Sequence, residues 1–263
     1  MKDTDMARVI VITSGKGGVG KTTVSANLCM ALSARGKKVV AVEGDIGLNN
    51  LDVVLGVEDR VVYDAGEVAL GKATVMQALV PINDNLCLFP ATTGAVNAVT
   101  TDIFLDMVKE LSGGFDYVII DSPAGIEENF HRAATGADEA LIVTTPHIPA
   151  VRDGVKTVKM LHSYGVEKIG LVLNRVRGEL VADKQMLSPK EVSSVMQLPL
   201  CGILPEDDFV NLTGVADVRN KRTGIGYSFS LLASYVDGGD KKLYDCVSEY
   251  TTLTGRIKRW LNI

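Results

Sequence analysis

Short apolar runs recur along the chain, with longer stretches of mixed polarity between them. The runs are RVIVIT (8–13), KVVAVE (38–43), YVIID (117–121), EALIVTT (139–145), IGLVLN (169–174) and LPLCGIL (198–204). Runs that stay apolar at consecutive positions over this length are typical of strands buried on both faces, as in a parallel sheet. The intervening stretches include KTTVSANLCMALSARG and PAVRDGVKTVKMLHSYG, each of which favours a helix that ends at a glycine.

This alternation of strand and helix predicts an α/β fold with one open, twisted, mostly parallel sheet and helices on both faces. Since no Pro/Ser-rich linker divides the pattern, we expect a single domain over residues 1–236. The segment YVDGGDKKL (235–243) favours a loop. We therefore predict a linker and terminal-helix region over 237–250 and a separate amphipathic helix over 251–263.

The composition excludes several function classes. Of 263 residues, 46% are hydrophobic and 22% charged, a balance typical of a folded α/β enzyme rather than of a disordered chain. The net charge of -5 argues against general binding to nucleic acid, because DNA-coating domains are usually basic. The four cysteines form no Cys-x-x-Cys pair, so the sequence favours neither a zinc ribbon nor a disulfide framework.

The N-terminal sequence and the length of the apolar runs bear on the location of the protein in the cell. The N-terminal sequence MKDTDMARVIVITSG leads from polar residues directly into a predicted strand and lacks the regions of a signal peptide. No apolar run reaches the roughly 18 to 20 residues that are needed to span a bilayer. We therefore expect a cytoplasmic protein.

A phosphate-binding loop lies between the first predicted strand and the helix that follows it. Residues 15–22 match the pattern G-x-x-x-x-G-K-[ST]. In such a loop, backbone N–H groups surround phosphate oxygens, the lysine contacts the β and γ phosphates, and the hydroxyl binds Mg²⁺. The predicted nucleotide contacts are Gly15, Gly17, Gly18, Val19, Gly20, Lys21, Thr22 and Thr23.

Lys16, directly after the first glycine, is one lysine more than this loop requires. With this lysine the loop resembles the deviant Walker-A loop of the MinD/ParA class of P-loop ATPases, and the chain resembles the MinD family in particular. The matching segments are VITSGKGGVGKTT, GDIGLNNLDVVLG, YVIIDSPAGIE, TTPHIPAVRD and LVLNRVR. The resemblance covers roughly residues 8–215 and returns in the tail. It implies ATP and Mg²⁺ as cofactors and slow hydrolysis that a partner stimulates.

The resemblance also implies roles for charged residues. Lys16 would reach the nucleotide of a second subunit, so that hydrolysis depends on an ATP-bound homodimer; cations placed against the transferring phosphoryl group lower its barrier. Asp121 resembles the Walker-B aspartate, and Asp45 resembles a switch residue that positions Mg²⁺ and the attacking water. Relatives commonly carry two aspartates one residue apart, whereas this chain has Glu43 before Asp45. The predicted catalytic residues are Lys16, Lys21 and Asp45, and the predicted metal site is Thr22, Asp45 and Asp121.

Two segments resemble the base-binding positions of the family. Asn174 and Arg175 match the adenine-recognising position, and the loop formed by Pro205, Glu206 and Asp207 resembles the one that closes over the base. An asparagine amide can pair a donor and an acceptor with a purine edge. An asparagine between a strand and a helix is also frequently structural, so both roles stay open for Asn174.

The C-terminal sequence LTGRIKRWLNI has the pattern of a basic amphipathic helix. Its apolar positions recur at i, i+4, i+7 and i+8, which places them on one face. That face comprises Leu253, Ile257, Trp260 and Leu261, and the adjacent basic residues are Arg256, Lys258 and Arg259. The pattern suits the surface of an anionic membrane and resembles a membrane-targeting helix, although a terminal helix docked on its own domain would have a similar face.

The resemblance therefore implies an ATPase that forms a homodimer with ATP, binds the inner face of the cytoplasmic membrane through its tail and controls division-site placement. By resemblance, its partners are a MinC-like division inhibitor and a MinE-like or other topological activator. Alternatives within the class are a flagellar-number ATPase of the FlhG type and a DNA-partitioning ATPase of the ParA type. The acidic charge disfavours the DNA-binding role, and we expect no specific nucleic acid. A metal-cluster carrier or an amidoligase is disfavoured by the lack of paired cysteines and of an added substrate domain.

Overall fold

One sheet forms the centre of the chain in the computed structural model, which describes residues 6–123, 125, 128–217 and 224–252. Its strands are β1 (Arg8–Thr13), β2 (Val39–Glu43), β3 (Val80–Asn83), β4 (Leu86–Phe89), β5 (Tyr117–Asp121), β6 (Glu139–Thr144), β7 (Lys168–Val176) and β8 (Leu200–Pro205). The strand order is β3-β4-β2-β5-β1-β6-β7-β8. Every pairing in the described sheet is parallel except that of β3 with β4.

Helices connect the strands and cover both faces of the sheet. They are α1 (Lys21–Ser33), α2 (Leu51–Leu55), α3 (Ala65–Ala69), α4 (Thr101–Ser112), α5 (Glu128–Thr135), α6 (Ile148–Ser163), α7 (Gly178–Ala182), α8 (Pro189–Met196), α9 (Asp208–Thr213), α10 (Gly224–Val236) and α11 (Ser248–Thr251). Short 3₁₀ helices cover Glu58–Arg60, Met76–Ala78 and Val96–Ala98.

The predicted α/β architecture is confirmed. Residues 8–13 and 117–121 form strands with the predicted bounds, and the other predicted strands lie within two residues of theirs. The antiparallel pair of β3 and β4 was not predicted. Both strands have four residues, and β3 contains Pro81 and alternates between buried and more exposed positions, so it lacks the continuous apolar run of the other strands.

The central strands are apolar at consecutive positions because both of their faces are covered. On β1, Val9 and Val11 face a cluster that includes residues of α4, α5, α6 and α8. Ile10 and Ile12 belong to a second cluster with α1 and α10. Successive side chains of a strand point to opposite faces. A strand between two helical layers is therefore apolar at consecutive positions. The packing on both faces holds the end of β1 next to the phosphate loop.

The region after α10 packs against the domain. Cys246 is buried, and Tyr244 and Val247 pack against the apolar cluster beneath α6 and α8. Gly178, at the start of α7, leaves no room for a side chain, since an added Cβ would lie 1.7 Å from the carbonyl oxygen of Cys246. The predicted loop at 235–243 is therefore followed by a segment anchored to α7. The predicted membrane residues from Leu253 onward lie outside the described residues.

An ionic network at the amino-terminal end of the strands holds the end of α10. The guanidinium of Arg8 donates hydrogen bonds to both carboxylate oxygens of Glu139 at 2.8 Å, and a further one to the carbonyl of Val236. Tyr117 donates from its hydroxyl to Asp237 at 2.8 Å. Burial opposes ionisation of Glu139, but the hydrogen bonds that it accepts outweigh burial and hold its pKa below the usual value.

Arg8→Ala is expected to lower the free energy of unfolding at pH 7 by about 1 to 2 kcal/mol in chemical denaturation. The bidentate geometry favours a larger effect than that of a surface pair, but 35% exposure of the Arg8 side chain lets solvent screen the charge. Because the pKa of Glu139 is lower in the folded state, this stabilisation is present above pH 4.5 and is lost as the pH falls through the folded-state value. The difference between variant and wild type should therefore shrink in acid. Arg8→Lys keeps the charge but not the bidentate geometry, so its free energy of unfolding should lie between those of wild type and Arg8→Ala. A difference in stability that does not change with pH would contradict the stabilising role of the Arg8–Glu139 pair.

Candidate nucleotide-binding site

The phosphate loop occupies the turn between β1 and α1. Gly18 has φ 78° and Gly20 has φ 91°, so both adopt the left-handed conformation that favours glycine. Gly20 caps the 13-residue helix α1, and no described side chain hydrogen-bonds to this cap. The backbone N–H groups at the start of α1 therefore face the loop, where they and the helix dipole can bind a phosphate.

Neighbouring elements pack tightly against the loop. A Cβ added to Gly15 would lie 2.3 Å from the carbonyl carbon of Asp153 in α6, and one on Gly20 would lie 2.3 Å from Nδ2 of Asn174. The buried amide of Asn174 donates from Nδ2 to the carbonyl of Val19 at 2.8 Å. The backbone of α6 and the Asn174 side chain of β7 thus hold the loop from two sides.

Asp121 is the centre of the polar contacts beneath the loop. It ends β5, which pairs with β1, and is 1% exposed. Its carboxylate accepts hydrogen bonds from Thr22 Oγ1 at 2.7 Å and Ser25 Oγ at 2.6 Å, and lies 3.2 Å from Nζ of Lys21. A hydroxyl and a carboxylate side by side are the oxygen ligands that Mg²⁺ prefers. The residues present therefore fit a magnesium ion held between Thr22 and Asp121.

The switch segment begins at the neighbouring strand β2, where Glu43 is buried and lies in register with Asp121. Glu43 Oε2 accepts from the backbone N–H groups of Asn50 at 3.1 Å and Leu51 at 2.8 Å, and so caps α2. Burial and the nearby Asp121 raise the pKa of Glu43 to about 8. Half-buried Asp45 lies inside the loop that this cap closes. The glutamate side chain, which is one methylene longer than that of aspartate, thus spans the gap to α2.

A cavity of about 1050 Å³ opens beside the loop. Lys16 is exposed and lines it, and no described carboxylate lies within 4.0 Å of the Lys16 ammonium. Other predicted residues on its wall are Gly17, Gly18, Val19, Arg175, Pro205 and Glu206. Its far wall contains residues of α7 and of the anchored segment 244–250. The cavity thus extends from the phosphate loop past the predicted base-binding position.

The predicted base-binding residues line two adjoining cavities, and Arg175 and Pro205 lie on the walls of both. Asn174 and Asp207 line a small adjoining cavity rather than the large one. Asp207 accepts a hydrogen bond from the N–H of Val210 at 2.9 Å and caps α9, and Arg175, with φ 57°, places its Nε 4.0 Å from Glu206. In this conformation the described hydrogen bonds of Asn174 and Asp207 are to backbone groups of the protein, whereas Arg175 and Glu206 line the large cavity.

Sequence reasoning missed two polar residues of α1. Ser25 lies four residues after Lys21 and donates to Asp121; its helical spacing from the loop lysine was a signal that could have found it. Asn27, with 0% exposure, forms hydrogen bonds on the other side of the helix. Two of its three partners, Gly214 and Ala216, come from a distant part of the chain, and no local signal identifies them.

A phosphate loop that follows a buried parallel strand, with a carboxylate on the adjacent strand, defines a P-loop nucleoside triphosphatase. A family model described as ParA, NUBPL iron-transfer P-loop NTPase, matches residues 5–186. The chain is 41% identical to the septum site-determining protein MinD of Synechocystis over 263 residues, which covers 97% of this chain and 99% of the relative. The chain belongs to the MinD family of ParA-type P-loop ATPases, whose cofactors are ATP and Mg²⁺.

Two solved structures are similar throughout the fold. The chain is 36% identical to MinD in the MinC:MinD cell division protein complex of Aquifex aeolicus, with a TM-score of 0.83 over 91% of this chain and 99% of that one. It is 34% identical to septum site-determining MinD of Pyrococcus horikoshii complexed with Mg-ADP, with a TM-score of 0.79 over 90% of this chain and 99% of that one.

Two further observations concern metals and membranes. Within the described ranges, no group of three or more His, Cys, Asp or Glu side chains is arranged to hold a metal ion. In the same part of the chain, none of the helices has both the length and the apolar character required to cross a membrane.

Proposed function

We propose that the chain acts as an ATP-dependent switch that places the division septum. ATP·Mg²⁺ bound at the phosphate loop joins two copies, and the pair attaches to the inner face of the cytoplasmic membrane. The observation that carries this proposal is the arrangement of Lys21 and Thr22 around Asp121. Lys21 Nζ and Thr22 Oγ1 lie 3.2 Å and 2.7 Å from its carboxylate oxygens. This cluster of a cation, a hydroxyl and a carboxylate beside the phosphate loop supports binding of a nucleotide phosphate and its metal ion there.

The binding step changes the partners of these three residues. Lys21 leaves Asp121 and contacts the β and γ phosphates, while Thr22 and Asp121 hold Mg²⁺. The bound ion supplies positive charge that neutralises the phosphates. Because Asp121 already gathers Lys21 and Thr22 beside the loop, binding exchanges their partners without having to bring distant groups together.

The exposed residues of the site serve hydrolysis and pairing. Lys16 is exposed, with no described carboxylate of its own chain within 4.0 Å, and it reaches the nucleotide of a second copy. Asp45, held in the loop that Glu43 closes, orients the attacking water. Arg175 and Glu206 on the cavity wall contact the base side of the nucleotide. Hydrolysis therefore depends on pairing, and the pair separates afterwards.

Membrane attachment follows from the C-terminal sequence. Burying four apolar side chains gains roughly 1.5 to 3 kcal/mol each at full depth, but ordering a short helix offsets much of this. One tail therefore binds weakly, whereas two tails on a pair gain avidity. The Aquifex aeolicus relative is seen in a complex with MinC. We propose a MinC-like inhibitor as a partner of the paired form and a MinE-like or other activator of its hydrolysis.

ATP is expected to move the tail of the protein onto anionic vesicles. Trp260 is the only tryptophan of the chain, so its fluorescence reports on the tail alone. With vesicles containing phosphatidylglycerol, emission should shift to the blue with ATP, and most of the protein should sediment with the vesicles. Asp45→Ala, which we expect to bind ATP without hydrolysing it, should remain bound, whereas wild type with ADP should stay in the supernatant.

Two controls separate this proposal from its alternatives. Vesicles of phosphatidylcholine alone should bind little protein, because the cations of the tail contribute about 1 kcal/mol each only near an anionic surface. An unchanged Trp260 emission in the presence of ATP and anionic vesicles would contradict membrane attachment. Retention on DNA that weakens steeply with salt would instead support the partitioning role.

A further inference from the structure

A buried asparagine ties the phosphate-binding helix to the segment beyond β8. Asn27 lies in the middle of α1 and is 0% exposed. Its Nδ2 donates to the carbonyl oxygens of Thr23 and Gly214, both at 2.7 Å, and its Oδ1 accepts from the N–H of Ala216 at 2.6 Å. Both N–H groups and the oxygen of the amide are therefore used, and two of the three partners lie almost 190 residues away along the chain.

The segment 206–216, which these bonds hold, is the base side of the proposed nucleotide site. Its first residue, Glu206, lines the large cavity and is fixed to β7 by a hydrogen bond from its N–H to the carbonyl of Val176 at 3.1 Å. Its last residues, Gly214 to Ala216, are fixed by Asn27. Between these two anchors, Val210 of the short helix α9 packs into the apolar cluster with α1 and α10, whereas Phe209 and Leu212 face solvent at 67% and 87% exposure. The amide of Asn27 therefore adds a directional polar anchor at the end of a segment that the core otherwise holds by apolar packing at Val210 and Ala216.

The position of Asn27 also joins the two ends of the site. Its helix begins at the phosphate loop, and its partner Thr23 lies in the first turn, directly after the metal-binding hydroxyl of Thr22. An asparagine inside a helix is unfavourable compared with alanine, because its amide competes with the backbone for hydrogen bonds. At this position the amide instead links the phosphate side to the base side through buried, fully satisfied bonds.

We propose that Asn27 is a positioning residue for nucleotide binding: it holds segment 206–216 at a fixed distance from the phosphate loop, so that one nucleotide meets preformed contacts at both ends. This inference rests on the proposed nucleotide site. A segment that is already fixed loses no conformational freedom on binding, so affinity is gained without a new contact. Asn27 touches neither Lys21, Thr22 nor Asp121 through its side chain, so the chemical step should be insensitive to it.

The test compares Asn27→Ala and Asn27→Ser with a matched variant of the same helix. Serine should keep a bond to the carbonyl four residues earlier, as Ser25 does to Lys21 at 3.1 Å, but it is too short to reach Gly214. Ser33→Ala also removes a side-chain hydrogen bond of α1, but one that is only partly buried, since its partner is the exposed Asn83 in the β3–β4 hairpin, at 2.7 Å. The probe is N-methylanthraniloyl-ATP with Mg²⁺, monitored by fluorescence.

Both Asn27 variants should raise the Kd of the probe and the KM for ATP about tenfold, with kcat changed less than about twofold. Ser33→Ala should leave Kd unchanged while also lowering the melting temperature, by less than Asn27→Ala because it removes one hydrogen bond rather than three. Without nucleotide, hydrogen exchange at the amide of Ala216 should also be faster in the Asn27 variants. If Asn27→Ala folds poorly, Asn27→Ser alone can be used for both the titration and the hydrogen-exchange measurement.

Equal Kd values for Asn27→Ser, Ser33→Ala and wild type would overturn the inference, because the loss would then be one of stability alone. A fall in kcat at constant KM would overturn it as well, since it would place Asn27 in the chemical step. Wild-type protein that fails to bind the probe would overturn the proposed nucleotide site itself, and this result is distinct from the first two because it does not involve the variants.

Discussion

Lys16→Ala is expected to reduce ATP turnover by about 10³-fold while leaving the affinity for ATP within a fewfold of wild type. A cation supplied to the transferring phosphoryl group from another subunit is worth about 10³ to 10⁵ in rate. The phosphates are bound by other groups, namely the loop backbone and Lys21. Since Lys16 is exposed, its loss should cost little folding free energy. Phosphate release at saturating ATP measures the rate, and Lys109→Ala, an exposed lysine of α4, provides the control.

Mixing two inactive variants distinguishes a lysine that acts across the pair from one that acts within its own subunit. In a mixed pair of Lys16→Ala and Asp45→Ala, the first subunit keeps Asp45 and can receive Lys16 from the second. Its site is then complete, and part of the turnover should return. If mixing restores no turnover, although sizing chromatography shows mixed pairs, Lys16 serves its own subunit and the proposed dependence of hydrolysis on pairing is wrong.

Asp121→Asn is expected to have two large effects. The stability of the nucleotide-free chain should fall by about 3 kcal/mol, because the Lys21 ammonium, whose side chain is 10% exposed, would lose its buried counterion. Turnover should fall by about 100-fold or more across a magnesium titration, since the Mg²⁺ site would lose its carboxylate. Urea denaturation without nucleotide measures the first effect, and phosphate release at increasing Mg²⁺ measures the second.

Ser25→Ala is the matched control for this substitution. It removes one of the contacts of Asp121, the bond from Ser25 Oγ at 2.6 Å, but leaves the ion pair with Lys21 intact. The expected loss of stability is about 1 kcal/mol, and turnover should change only a fewfold. If Asp121→Asn and Ser25→Ala behaved alike in both measurements, the central role of the Asp121 carboxylate would be refuted.

Much of the fold could be predicted from the sequence because its signals are local. The apolar runs of β1 and β5 predicted their strands with the observed bounds. The antiparallel pair of β3 and β4 was not predicted. Its strands are short and partly exposed, and they are stabilised by their position at the edge of the sheet beside β2. The phosphate loop was recognisable since its glycines and lysine act through the conformation of consecutive residues.

The base side of the site was less predictable. Family resemblance assigned Asn174 and Asp207 to the base, and the structure shows hydrogen bonds from Asn174 to Val19 and from Val210 to Asp207. Their contact with a base remains a prediction. A side-chain amide or carboxylate can satisfy many partners, and which one it meets depends on how far the neighbouring strand and loop approach it.

The sequence by itself determined the class of site: a strand, a glycine-rich loop and a helix that place Lys21 and Thr22 at a helix terminus. These features arise from backbone conformation and burial within a few tens of residues. Only the tertiary structure decided that Glu43 caps α2 and that Asn27 holds Gly214 and Ala216. Such bonds join groups that become neighbours only when the sheet and its two helical layers have assembled, and no periodicity along the chain encodes them.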